Sequence, residues 1–315
     1  MSTKIKGSDT GFLYYKNNEK RIFKSAYNKS GIAMGASAFI TIDGTDFAVG
    51  AGDRNIQFDK SDSEMNMVTI LTDLCMDGAD EFYLVVGVPI SQYKAQKDKL
   101  KKIIMSYNDC KIIFHGEEKK IKICDVLVLP QGIGALLSLD KLVDGEIIIF
   151  DFGGMTIDLA HLEVSNGNPI LLKSDTLTSG IQKLYPKLIS KVNQEYNLTL
   201  DPSYGENILV NLNKGILIKG EYKPSDFLLP TLREYLQPIF IEFNVNYPAM
   251  NTKIYICGGS AIIFEKLFKE YYPQSEIMPN SQFANAIGYY KAGVSAFGHL
   301  VPQPETKINV CGYRR

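Results

Sequence analysis

Three short turns, each placed where an extended or apolar run stops, constrain this chain more than any other feature. They read Asp9-Thr10-Gly11, Asp151-Phe152-Gly153-Gly154-Met155-Thr156 and Cys257-Gly258-Gly259-Ser260-Ala261. At the end of a strand the backbone N–H groups of such a turn are free to face an anion. Taken singly, the first two are also acceptable hairpin turns and the third an acceptable start to a helix, so their order along the chain carries the argument.

The segments around them alternate strand and helix patterns. Residues 4–9, 12–16 and 21–26 read as an antiparallel meander with tight turns. A β-rich stretch around Asp43-Gly44 and the polar residues 53–63 read as a small subdomain or insertion over about 28–62. Met65, Val68, Leu71, Leu74 and Cys75 recur at helical spacing up to Gly78, and a buried strand over 82–88 follows. After Pro89 a helix presents Tyr93, Leu100, Ile103, Ile104 and Tyr107, while Lys94, Lys97, Lys99, Lys101 and Lys102 cover its solvated side. A strand over 123–129, a loop turning into a helix over 130–142 and an apolar strand over 146–150 lead into the second half. There, strands over 156–164 and 170–175 form another meander, followed by helices over 181–196, 204–213 and 225–243. The strand 253–257 and helices over 261–271 and 283–297 complete the pattern.

Two meanders, each feeding helices, predict a duplicated α/β architecture. The expected division is a first domain over 1–145, a second over 146–282, a helix over 283–297 packed back on the first, and a loosely ordered tail over 298–315.

With 315 residues, 45% of them hydrophobic, the chain has room for two such domains. Its 34 basic and 35 acidic residues leave a net charge of -1, so direct DNA binding is not expected. Cys75, Cys110, Cys124, Cys257 and Cys311 are scattered and odd in number, as reduced thiols would be. His115, His161 and His299 are isolated and show no ligand spacing. The polar, glycine-bearing N-terminus and the lack of any long apolar run predict a cytosolic protein, neither secreted nor membrane-spanning.

In this order the three turns resemble those of the actin, sugar-kinase and heat-shock-chaperone superfamily. That fold is a duplicated, ribonuclease-H-like arrangement of two domains, each a mixed sheet flanked by helices, with a nucleotide cleft between them. Five segments narrow the resemblance to ParM-like plasmid-segregation actins: LVVGVPISQYKAQKDKL, VLVLPQGIGALLSL, IIIFDFGGMTIDLA, IYICGGSAIIFEKLFKEYYP and SQFANAIGYYKAG. They span most of residues 82–293.

The resemblance implies that Asp9, Thr10 and Gly11 face Gly153, Gly154, Met155 and Thr156 across the phosphates of ATP or GTP. It places the nucleoside against Gly180, Lys183, Gly258, Gly259 and Ser260. Asp9 and Asp151 would hold a hydrated Mg²⁺, an ion that keeps its waters and needs few carboxylates. Asp158, seven positions beyond Asp151 and between Ile157 and Leu159, either supports the second turn or faces solvent. Two departures stand out: the first turn lacks the usual glycine or asparagine run after its aspartate, and Met155 replaces a typical threonine or glycine.

Gln131 falls where the family orients the attacking water, although it also reads as a cap for the helix that follows. With Asp151 it makes the expected catalytic pair. An amide positions water but is a poor general base, which predicts slow hydrolysis and argues against a sugar kinase.

The implied function is a filament-forming ATPase or GTPase of the bacterial cytosol. Subunits would add head to tail, and a ParR-like adaptor on centromere-like plasmid DNA would couple the filament to its cargo. The alternatives are a non-polymerising kinase or phosphatase of the same fold and a cell-shape, MreB-like actin. The second is disfavoured because the chain's termini form no amphipathic membrane helix. A chaperone is disfavoured because nothing follows the nucleotide-binding unit.

Overall fold

The computed structural model describes residues 2–52, 59–60 and 63–302. Cys311, most of the polar stretch at 53–63 and the expected tail from residue 303 lie outside the described residues.

The chain opens with the meander β1 (Thr3–Thr10), β2 (Tyr14–Asn17) and β3 (Ile22–Lys24), followed by β4 (Tyr27–Asn28), β5 (Ala38–Ile42) and β6 (Thr45–Val49). Then come α1 (Glu64–Asp77), β7 (Glu81–Val88), α2 (Tyr93–Ser106), β8 (Ile112–Phe114), β9 (Glu117–Lys119), β10 (Lys122–Pro130) and α3 (Ile133–Leu137). The second meander is β11 (Gly145–Phe152), β12 (Ile157–Ser165) and β13 (Asn168–Leu177). It leads to α4 (Tyr185–Tyr196), α5 (Gly205–Val210), β14 (Ile216–Ile218), β15 (Glu221–Lys223) and α6 (Leu229–Asn246). The last elements are β16 (Lys253–Cys257), α7 (Ala261–Tyr271), β17 (Ser275–Ile277) and α8 (Ala284–Phe297).

Two five-stranded sheets repeat one plan. The first runs β3-β2-β1-β7-β10 and the second β13-β12-β11-β16-β17, each an antiparallel meander with two parallel strands added beside its first strand. Strands covered on both faces are apolar almost throughout. On β7, Phe82, Leu84, Val86 and Val88 pack with α1 and α2, whereas Tyr83 and Val85 pack with Tyr289 and Phe297 of α8. On β11, Ile148, Phe150 and Phe152 join the core under α4, α6 and α7, and Ile147 and Ile149 face α3.

Two helices exchange partners. Helix α3 follows the first sheet yet its Ala135 and Leu136 pack on the second, and α8 follows the second sheet yet packs on β1 and β7. They cross at Gly288, where an added Cβ would lie 1.7 Å from the Gly134 carbonyl oxygen, so no larger residue permits this approach.

The small subdomain is larger than the span read from sequence. Its sheet, β4-β6-β5-β8-β9, is completed by β8 and β9 from residues 112–119. Three-residue strands carry too little alternation to be read as such. The same brevity hid the β14–β15 hairpin, and within the loop and helix expected over 130–142 the helix is Ile133–Leu137.

Candidate functional site

Asp9 stands near the end of β1 and Asp151 near the end of β11, so the duplicated plan sets two carboxylates at equivalent places on facing sheets. They border one cleft of about 270 Å³ and are 4% and 7% exposed. Burial and then the charge of Asp9 raise the pKa of Asp151, against Lys16 and the hydrogen bond from Asn285.

Three side chains approach these acids. Lys16 Nζ lies 3.2 Å from Asp9 Oδ2; burial opposes its charge, but Asp9 and Asp151 prevail and its pKa is raised. Gln131 Nε2 donates to Asp9 Oδ1 at 3.3 Å, so the amide faces the cleft and does not cap α3, whose first turn has no side-chain cap. Asn285, in the first turn of α8, donates to Asp151 Oδ2 at 2.6 Å and accepts from the Gly132 N–H at 3.2 Å. Beside them Asp158 is held by Thr176 at 2.6 Å and Thr156 at 3.4 Å, and burial pushes its carboxyl up to about 7. It lines the cleft, as a group facing bulk solvent would not.

The second turn is braced from behind. Gly180 N–H donates to the Met155 carbonyl, and the Ile181 and Gln182 N–H groups donate to the Gly153 and Gly154 carbonyls, while the Gly153 N–H is taken by the Thr156 carbonyl at 3.0 Å within the turn. At the third turn Gly258 has φ +93° and an added Cβ would lie 2.3 Å from the Phe152 carbonyl oxygen, so glycine alone lets the end of β16 close on β11.

Of the residues expected to bind, Asp9, Gly11, Gly153, Gly154, Thr156, Gly259 and Ser260 line the cleft with Gln131 and Asp151. Thr10, Met155, Gly180 and Gly258 are not part of that lining. Lys183 is exposed at the end of a short 3-10 helix and does not line it either.

Lys16, Asn285, Tyr14, Tyr185, Glu206 and Gln282 were not foreseen. For Lys16 a signal existed, since it shares the outward face of β2 with Tyr14. For Asn285, distant in sequence from Asp151, there was none.

Beyond the acids the cleft turns apolar, with Phe12, Leu13, Ile22, Tyr185, Leu209 and Ile263, and is spanned by a 2.5 Å hydrogen bond from Tyr14 Oη to Glu206 Oε1. One end thus offers carboxylates, a lysine and glycine amides, and the other offers aromatic and aliphatic walls. These are the needs of a cation with phosphates and of a nucleoside. The buried Thr10 hydroxyl beside Asp9 has no hydrogen-bond partner among the described residues.

Duplicated sheets, exchanged helices and acid-headed turns facing across a cleft define an actin-fold protein. Residues 7–134 match the family model for the N-terminal domain of actin-like proteins. Among solved structures, the chain is similar to a subunit of a 15-stranded ParM filament from Clostridium botulinum, with 20% identity, 94% of this chain and 100% of that one covered, and a TM-score of 0.74. It is similar to an archaeal actin homologue in complex with ADP, at 19% identity, 94% and 100% coverage and a TM-score of 0.75. It also resembles the Alp12 filament structure, at 18% identity, 94% and 100% coverage and a TM-score of 0.66. No curated protein matches the sequence.

Proposed function

We propose that this chain is a filament-forming nucleotidase of the plasmid-segregating kind. It takes up ATP or GTP with Mg²⁺ in the cleft, hydrolyses it slowly, and assembles head to tail. The observation that carries this reading is the junction of Asp9, Gln131 and Asp151, two acids from facing sheets with an amide between the elements that bear them.

In this reading the amides of Gly154 and Gly259 cradle the phosphates, and Lys16 balances their charge. Asp9 and Asp151 hold the hydrated Mg²⁺, which when bound supplies charge neutralisation at the phosphates. Gln131 orients the attacking water but takes no proton, so turnover is slow. The nucleoside lies among Phe12, Tyr185, Leu209 and Ile263. Bound nucleotide draws the two domains together, closed subunits add through a head-to-tail contact that does not close into a ring, and hydrolysis loosens the lattice. Plasmid DNA is reached through an adaptor, since a net charge of -1 gives no general pull on phosphate backbones. None of the described helices is long and apolar enough to cross a membrane.

The test is light scattering of the purified protein with Mg-ATP and with Mg-GTP, electron microscopy of the same samples, and a phosphate-release trace. Filaments that form with one nucleotide and decay as phosphate appears support the reading and assign the base. Absence of assembly and of phosphate release with both nucleotides would overturn it.

A further inference from the structure

Asn285 is buried in the first turn of α8, 6% exposed, and is not part of the cleft's lining. Its amide nevertheless holds two parts of the site that come from different sheets. Nδ2 donates to Asp151 Oδ2 at 2.6 Å, near the end of β11, and Oδ1 accepts from the Gly132 N–H at 3.2 Å, just past the end of β10. A main-chain N–H only donates and a carboxylate only accepts, so these two partners fix which way the amide points.

The Gly132 N–H belongs to the peptide that joins Gln131 to Gly132. Asn285 holds that peptide on one side of Gln131, and on the other side the Gln131 N–H donates to the Val88 carbonyl at 2.8 Å. The main chain of Gln131 is therefore fastened at both of its peptides. Gly132 has φ +81°, a left-handed conformation that the bond to Asn285 helps to keep. Because α8 packs on β1 and β7, the acid of the second sheet takes its orientation from a helix seated on the first. An uncharged amide suits this place: a lysine would neutralise Asp151 and an acid would repel it, whereas asparagine orients the carboxylate and leaves its charge for a cation.

We propose that Asn285 is a positioning residue that sets the Asp151 carboxylate and the Gln131 main chain as one unit across the two domains. This rests on the nucleotide reading above and deepens it. The acid that receives the hydrated Mg²⁺ and the amide that orients water keep their relation because one side chain holds both.

Calorimetric titration of the full chain with ADP and AMPPNP, or GDP and GMPPNP, each in Mg²⁺ and in EDTA, tests it. Removing a group that orients a metal-binding carboxylate typically costs about 10- to 100-fold in metal affinity. For Asn285→Ala and Asn285→Ser the expected result is a loss of about tenfold or more in nucleotide affinity in Mg²⁺, with affinity in EDTA kept within about twofold. Retained affinity in EDTA also shows that the variant is folded. Added to Asp151→Ala, either substitution should cost less than about twofold further in Mg²⁺, because Asn285 acts through that acid. Single-turnover phosphate release at saturating Mg²⁺ and nucleotide should also fall about tenfold in Asn285→Ala, since Gln131 loses the fastening of its main chain. Equal losses in Mg²⁺ and EDTA, no loss in Mg²⁺, losses that add in the double variant, or wild-type release at saturation would overturn the proposal. Failure of the wild-type chain to bind any of these nucleotides is a different result, which removes the nucleotide reading and this inference with it.

Discussion

Asp158 stands opposite Asp151 in the β11–β12 register and is held by its two threonines, with 4% of its surface exposed at the cleft wall. Because its folded pKa, about 7, lies above the ordinary 3.8, the folded protein holds one proton more than the unfolded chain between those values. Its contribution to stability is therefore complete below about pH 4 and is lost as pH rises through 7, at ~1.4 kcal/mol per unit. Asp158→Asn cannot ionise, so in denaturant titrations without nucleotide its stability relative to wild type should rise from pH 5 to pH 8; a flat difference would show that the carboxyl titrates normally. Hydrolysis should fall about 100-fold or more in Asp151→Ala, and about tenfold or more in Gln131→Ala with nucleotide affinity kept within about threefold. Single-turnover phosphate release beside equilibrium binding separates the two effects, and wild-type rates in either variant remove that residue's role.

At the scale of elements, the crossing of α3 and α8 determines where Asn285 can reach. A methyl group at position 288 meets main-chain atoms, which cannot swing aside as a flexible side chain would. Gly288→Ala should therefore cost about 2 kcal/mol of stability or more. It should also weaken nucleotide binding, because moving α8 withdraws Asn285, one turn earlier, from Asp151. A melting curve and a binding isotherm check both, and a variant with wild-type stability would mean that the helices have room to separate. The meanders, α1, α2 and β16 were legible because periodicity is local and their buried faces follow it: Leu100 and Ile104 are buried on α2 while its lysines are not. The β8–β9 extension of the small sheet was not, since its pairing partner β5 lies about seventy residues earlier.

At the scale of the whole molecule, contacts at the cleft add to the α3–α8 crossing in fastening the two domains. Leu13, from the first turn, is buried in the second domain's core. Tyr14 reaches Glu206 at 2.5 Å, and Ser91 meets Thr176 at 3.0 Å. A hydrogen bond of this kind contributes about 1 kcal/mol, enough to shift an open–closed equilibrium roughly fivefold. Tyr14→Phe should thus enlarge the radius of gyration measured by small-angle X-ray scattering without nucleotide, and saturating nucleotide should restore it. An unchanged radius would mean that Leu13, the Ser91 contact and the α3–α8 crossing hold the cleft without it.

The sequence by itself determined the class of fold and the heads of the site. Asp9, Asp151 and Gly259 stand at strand ends marked by local pattern, and the strand-to-turn chemistry needs only neighbours along the chain. Tertiary structure alone decided which of those residues face one another, that Gly180 braces a turn without lining the cleft, and that Lys183 stands outside it. It alone brought Lys16 and Asn285 to those acids. The physical reason is that charge and hydrogen-bond partners act through space: a lysine or an asparagine on a carboxylate becomes visible only after sheets and helices have packed around it.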